Sequence, residues 1–91
     1  MNVHADANEL REFASHLEKF ALELEQSLQT TRHRLHQLNE TWQDPEFAQF
    51  VESISKTFPV INAFTEDARM KVPSLRTDAD IIDEYARLKP L

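Results

Sequence analysis

The sequence contains no glycine in 91 residues, and this absence limits the folds open to the chain more than any other feature. Tight β-hairpin turns, phosphate-binding loops and nucleophile elbows all use backbone conformations that glycine adopts at low cost. The chain also has no cysteine, which excludes a disulfide framework and thiol catalysis. We therefore expect an all-α protein of long helices and few turns, and nothing in the sequence gives positive evidence for an enzyme.

Composition narrows the classes of partner. The chain is 41% hydrophobic and 29% charged, which is typical of a folded soluble protein. Its net charge of -6 would repel phosphate backbones and anionic lipids, so we expect no nucleic-acid partner and no membrane partner. No stretch is apolar enough for membrane insertion, and no basic, then apolar N-terminal region predicts a cleaved signal peptide. We expect a cytoplasmic protein, with export lacking a cleaved signal as the open alternative.

A helical bend is predicted at residues 40–44. Asp44 is suited to accept hydrogen bonds from free backbone N–H groups as an N-cap, and Pro45 is preset for the first helical position. Glu46 would sit at the positive end of the new helix dipole. Trp42, the only tryptophan, lies just before the cap, where its ring could close the end of a two-helix interface.

The first arm is predicted to be a helix over residues 6–39, opened by a capping box of Asp6 and Glu9. Steps of three and four place large apolar residues along one side: Leu10, Phe13, Leu17, Phe20, Leu24, Leu28, Leu35 and Leu38. Two successive steps of four around Leu24 suggest a stutter in the heptad pattern. Ala14 and Ala21 flank this stripe and would let a neighbouring helix approach closely, while Glu18 and Glu25 are expected on a solvated face.

The second arm is predicted to be a helix over residues 45–88. Every seventh residue from Phe47 is apolar: Phe47, Ile54, Ile61, Ala68, Leu75 and Ile82. A companion series has one polar exception: Val51, Phe58, Thr65, Val72, Ala79 and Ala86. Because the pattern keeps phase across Pro59 and Pro73, we favour one kinked helix, with a break at Pro73 and a separate helix from about Asp78 as the alternative.

The apolar surface exceeds what a two-helix seam can cover. Phe50, Val60, Phe64 and Met70 widen the apolar arc of the second arm, and its last dozen residues are expected to overhang the shorter first arm. We expect a single-domain antiparallel hairpin that dimerises into a four-helix bundle, as a homodimer or with a related hairpin. The predicted association face comprises Leu10, Phe13, Leu17, Phe20, Leu24, Phe47, Phe50, Ile54, Phe58, Ile61 and Phe64.

The sequence gives little support for metal binding or catalysis. His33, His36 and Glu40 lie along one helix side and could contribute ligands, but three groups from one helix rarely surround an ion. The carboxylates and serines form no pattern that suggests acid–base or nucleophilic chemistry. We therefore expect no metal, no cofactor and no catalytic residue.

The two arms and the tryptophan at the bend resemble the WXG family of small helical hairpins, the ESAT-like proteins of type VII secretion. Trp42-Gln43-Asp44 stands where that family has Trp-any-Gly, with Asp44 replacing the glycine. The resemblance implies antiparallel dimers, a role as substrate, partner or adaptor of the secretion system, and contact with a secretion ATPase or a toxin.

Many such proteins carry a C-terminal export signal of Tyr, three residues, then an acid. Here Tyr85 is present, but Lys89 occupies the acidic position. Two alternatives use the same hairpin: a cytoplasmic interaction module, such as a toxin-associated chaperone or regulatory adaptor, and a needle-type subunit of another secretion apparatus.

Overall fold

The computed structural model describes residues 3–88, with side chains from Asp6 onward, as two helices joined by a three-residue linker. Helix α1 spans Val3–Thr41 and helix α2 spans Pro45–Leu88. The helices pack along their length into a rod of 72 × 18 × 16 Å, and residues 3–88 contain no strand. The predicted all-α antiparallel hairpin is confirmed.

Helix α1 begins earlier and ends later than residues 6–39. Asp6 lies inside the first turn of α1, so its predicted role as the N-cap is wrong. No glycine or proline precedes it to stop the helix, and Ala7 is already fully buried against α2. Asp6 still places a negative charge near the positive end of the helix dipole.

Helix α2 runs unbroken through Pro59 and Pro73. The alternative of a break at Pro73 is therefore wrong. Both prolines lie on the exposed side of the helix, where the lost backbone hydrogen bonds leave carbonyls near solvent. The predicted dozen-residue overhang is also wrong, because α1 has 39 residues against 44 in α2, and Ala79 and Ala86 near the end of α2 are covered.

The seam of α2 is the one that its seven-residue spacing predicts. Every member of the two apolar series is buried or half-buried, including the polar exception Thr65. The Thr65 hydroxyl donates to the Ile61 carbonyl at 2.9 Å, which satisfies its hydrogen-bonding group inside the seam.

The seam of α1 is built around alanines rather than around the phenylalanines of the predicted stripe. Ala7, Ala14 and Ala21 are fully buried and Leu28 nearly so, at regular seven-residue steps. Phe13 and Phe20 point to the side and remain 53% and 45% exposed. The predicted stutter is therefore wrong, since it arose from counting these rings instead of the alanines.

Candidate interaction surfaces

The bend is held by one carboxylate. Asp44 Oδ1 accepts the backbone N–H of Glu46 at 2.9 Å, and Asp44 Oδ2 accepts the indole N–H of Trp42 at 3.4 Å. The Asp44 carbonyl accepts the first intrahelical bond of α2, from Ala48 N–H at 2.9 Å. The predicted N-cap is confirmed, and the same side chain also accepts the indole N–H of Trp42.

The turn needs no glycine. No residue of the described chain has a positive φ, including the linker residues Trp42, Gln43 and Asp44. Helix α1 ends with the Trp42 N–H donating to the Leu38 carbonyl at 2.8 Å, an ordinary helical bond. Asp44 therefore stands in the linker without backbone strain. The Trp42 ring stays about half exposed on the outside of the turn.

One edge of the hairpin carries a row of ion pairs, and we call it the charged edge: Arg11, Glu18 and Glu25 of α1 with Asp83, Arg76 and Arg69 of α2. The pairs are Arg11–Asp83 at 2.6 Å, Glu18–Arg76 at 3.3 Å and Glu25–Arg69 at 2.8 Å. Each step moves seven residues up α1 and seven down α2. The row therefore matches a single antiparallel register of the two helices.

The end of the row furthest from the bend is the densest. Arg11 also contacts Asp80 at 2.8 Å, and its hydrogen bonds to Asp80 and then Asp83 raise the pKa of Arg11 above its ordinary value. Farther along, Glu84 pairs with Arg87 on the same helix, and that hydrogen bond lowers the pKa of Glu84. These groups are at least partly exposed, so each pair contributes little to stability.

The charged edge was missed by the sequence analysis, which assigned Glu18 and Glu25 to a solvated face. A signal was present, because charges recur at seven-residue spacing on α1 and opposite charges recur in reverse order on α2. Detecting it requires the register between the helices, which the apolar pattern of each helix does not contain.

The opposite edge is aromatic, and we call it the aromatic edge: Phe13, Phe20, Phe50, Phe64 and Tyr85. The Phe20 and Phe64 rings meet edge to face, with centroids 6.4 Å apart. Each of the five side chains is between 45% and 61% exposed. Phe13 and Phe20 are seven residues apart on α1, and Phe50, Phe64 and Tyr85 are separated by multiples of seven on α2. These spacings place the aromatic rings on one side of each helix.

The predicted association face divides between the seam and this edge. Seven of its members are buried or half-buried in the hairpin: Leu10, Leu17, Leu24, Phe47, Ile54, Phe58 and Ile61. The other four, Phe13, Phe20, Phe50 and Phe64, form the aromatic edge. This second group is the more exposed of the two.

The candidate metal ligands do not come together. His36 Nε2 lies 3.1 Å from Glu40 Oε1, an exposed contact one turn apart on α1. Among the described residues, no cluster of three or more His, Cys, Asp or Glu side chains could hold an ion. His33 and His36 instead line a groove of about 660 Å³ between the helices near the bend.

Comparisons of the sequence with protein-family models and with curated proteins, and a search of solved structures, found no match. Neither α1 nor α2, over the part of the chain that the structure describes, contains an apolar stretch long enough to span a bilayer.

Proposed function

We propose that this chain is a non-enzymatic helical-hairpin protein that pairs through its aromatic edge with a second hairpin, and that the pair acts as a substrate, partner or adaptor of a type VII-like secretion system. The observation that carries the pairing is the aromatic edge itself. Five large side chains lie along one edge of the hairpin at about half exposure, and two of them, Phe20 and Phe64, are in contact. Surfaces of this kind mark protein–protein contacts.

The area available is sufficient for a stable complex. One side of a rod 72 Å long and 18 Å wide offers on the order of 1,000 Å², against about 800 Å² per partner in a standard interface. The hairpin alone leaves these rings half in water, while a second hairpin laid against the edge would remove them from water and gain about 25 cal/mol per Å² of apolar area.

The position of the Phe20–Phe64 pair favours a symmetric partner. Phe20 lies near the middle of α1 and Phe64 near the middle of α2. A two-fold axis through this point would bring four rings together and set the bend of one hairpin beside the free end of the other. A related hairpin with rings at the same level would serve equally, so homodimer and heterodimer both fit.

The secretion role rests on the resemblance of the bend and of the chain's plan to the ESAT-like hairpins. Trp42 at a short turn between two long helices supports it, and so does an exposed Tyr85 near the end of α2. The acidic position of the export signal falls on Lys89, outside the described residues. A secretion ATPase or a toxin would be the further partner, and the protein would act in the cytoplasm or after export without a cleaved signal.

The first test is size in solution, by sedimentation velocity over a roughly hundredfold dilution. We expect a species of twice 10.6 kDa that dissociates on dilution. A folded monomer at every concentration would remove the homodimer and leave only pairing with a related hairpin, and open filaments would favour the needle-type subunit instead.

The second test is export from a host with an active type VII system, comparing the chain with its Tyr85→Ala variant. We expect the parent chain in the medium and the variant in the cells. A dimer that stays in the cells in both cases would favour the cytoplasmic adaptor or chaperone.

A further inference from the structure

The charged edge ends halfway along the hairpin. The next seven-residue step beyond Glu25–Arg69 brings Arg32 opposite Asn62, and one more brings Asn39 opposite Ser55. None of these four side chains is a carboxylate. The groove of about 660 Å³ opens at this point, between the end of the ion-pair row and the bend.

The floor of the groove is apolar and its rim is polar. Leu35 and Val51 are half-buried seam residues, Phe58 is buried, and all three line the groove. Above them, Arg32 places its guanidinium over the Phe58 ring, 5.6 Å from the centroid. Arg32 makes no ion pair within the described part of the chain, so its N–H donors face an open site.

The groove lining carries one arginine, Arg32, and no aspartate or glutamate. Residues 29–39 contain Arg32 and Arg34 and no acid, and the Glu40 carboxylate just outside the lining lies 3.1 Å from His36 Nε2. Arg32 therefore offers a carboxylate a local positive partner on a chain whose net charge is -6.

The rim also offers backbone and side-chain polar groups. Pro59 has no N–H, so the carbonyl of Ser55 lacks its partner within α2. Both Ser55 and Pro59 line the groove, together with the amides of Asn39 and Asn62. A bound peptide would thus find donors for its carbonyls and an acceptor for an N–H.

We propose that this groove binds an acidic amphipathic segment of a partner protein. A carboxylate of the segment pairs with Arg32, and an apolar side chain beside it covers Leu35, Val51 and Phe58. The inference goes beyond the proposed function, because the groove continues the charged edge while pairing uses the opposite, aromatic edge. Both surfaces can be occupied at once.

The test is a titration of the ¹⁵N-labelled full chain with a short peptide that repeats Glu-Glu-Leu-Leu, followed by NMR. We expect amide shifts confined to residues 32–39 and 51–62. The matched peptide with Gln in place of Glu should bind at least roughly tenfold more weakly, because it lacks the charge for Arg32. Equal binding of the two peptides, or shifts centred on Phe20 and Phe64, would overturn the proposal.

Two protein variants complete the test. Arg32→Glu should weaken binding of the acidic peptide by roughly tenfold or more. Lys56→Glu makes the same charge change on α2 just outside the groove lining, and it should alter the affinity less than about twofold. Similar losses of affinity in both variants would mean diffuse attraction and no site. No binding of the peptide to the parent chain would also overturn the proposal. Far-UV circular dichroism checks that each variant folds, and sedimentation of the same samples reports pairing separately from peptide binding.

Discussion

Phe20 and Phe64 contact each other edge to face across the two helices, yet 45% of the first side chain and 52% of the second remain in water. Each ring therefore keeps about half of its surface accessible for a further contact. A chain that used these rings only to join α1 to α2 would place them in the seam, where alanines lie instead.

Replacing Phe20 by glutamate should abolish pairing of the hairpins and leave the fold intact. The change puts a charge at the centre of the aromatic edge, where a partner would have to desolvate it. We expect the dissociation constant, measured by sedimentation equilibrium, to rise at least roughly tenfold. Leu22→Glu is the matched control, because Leu22 is half exposed but lies two residues on, facing away from this edge. Equal effects of the two variants on the dissociation constant would show that the aromatic edge is not the interface.

Replacing Asp44 by alanine should destabilise the hairpin by about 1 kcal/mol in urea unfolding. The variant loses the acceptor for the Glu46 N–H and for the Trp42 indole. Asp44→Asn keeps an oxygen acceptor for the cap and should lose less than half as much. An alanine variant as stable as the parent would show that the linker does not depend on this cap.

Exchanging the charges of Glu25 and Arg69 should restore the stability that either single charge reversal removes. Glu25→Arg and Arg69→Glu each place like charges together, and we expect each to cost about 0.5 kcal/mol, since exposed pairs contribute about 0.2–1 kcal/mol. The double reversal rebuilds the pair with opposite polarity, so the double-mutant cycle should give a favourable coupling that weakens in high salt.

The control for this cycle is Glu23→Arg, which changes the same charge two residues away, outside the charged edge. It should show no coupling to Arg69→Glu. Coupling as large as that of the true pair would mean that net charge, and not the observed contact, sets the effect.

The sequence predicts α2 and the bend better than α1, for a physical reason. In α2 the large apolar residues are themselves the seam, so spacing and burial agree from Phe47 to Ile82. The bend follows from local chemistry, because the cap at Asp44 involves only neighbouring backbone. In α1 the buried positions are alanines, whose small apolar surface gives a weaker pattern than the exposed Phe13 and Phe20.

The surfaces depend on information that no single helix contains. Whether Glu25 meets Arg69 or water is decided by the register between α1 and α2. The groove likewise lies where Arg32 and Asn62 fall opposite each other and the row of ion pairs stops. Periodicity within one helix predicts which side is covered, but not which residue covers it.

Replacing Pro73 by alanine should stabilise the hairpin. Helix α2 continues through this position, so alanine can restore the backbone hydrogen bond to Arg69 and remove the steric conflict that proline creates inside a helix. Part of the gain is lost because alanine gives the unfolded chain more freedom, and we expect a net increase of about 1–2 kcal/mol in urea unfolding at fixed protein concentration. A loss of stability would instead mean that the seam requires the local distortion that proline imposes.

Enlarging Ala14 should separate the two helices and cost stability. Ala14 is fully buried at the centre of the alanine-lined part of the seam, where α1 packs against α2. A leucine there has no room, and overpacking of this kind costs about 1–3 kcal/mol. Ser15→Leu adds a comparable side chain on the exposed neighbour and should change the free energy of unfolding by less than about 0.5 kcal/mol. If Ala14→Leu were as stable as Ser15→Leu, the helices would not approach as closely at Ala14 as its complete burial indicates.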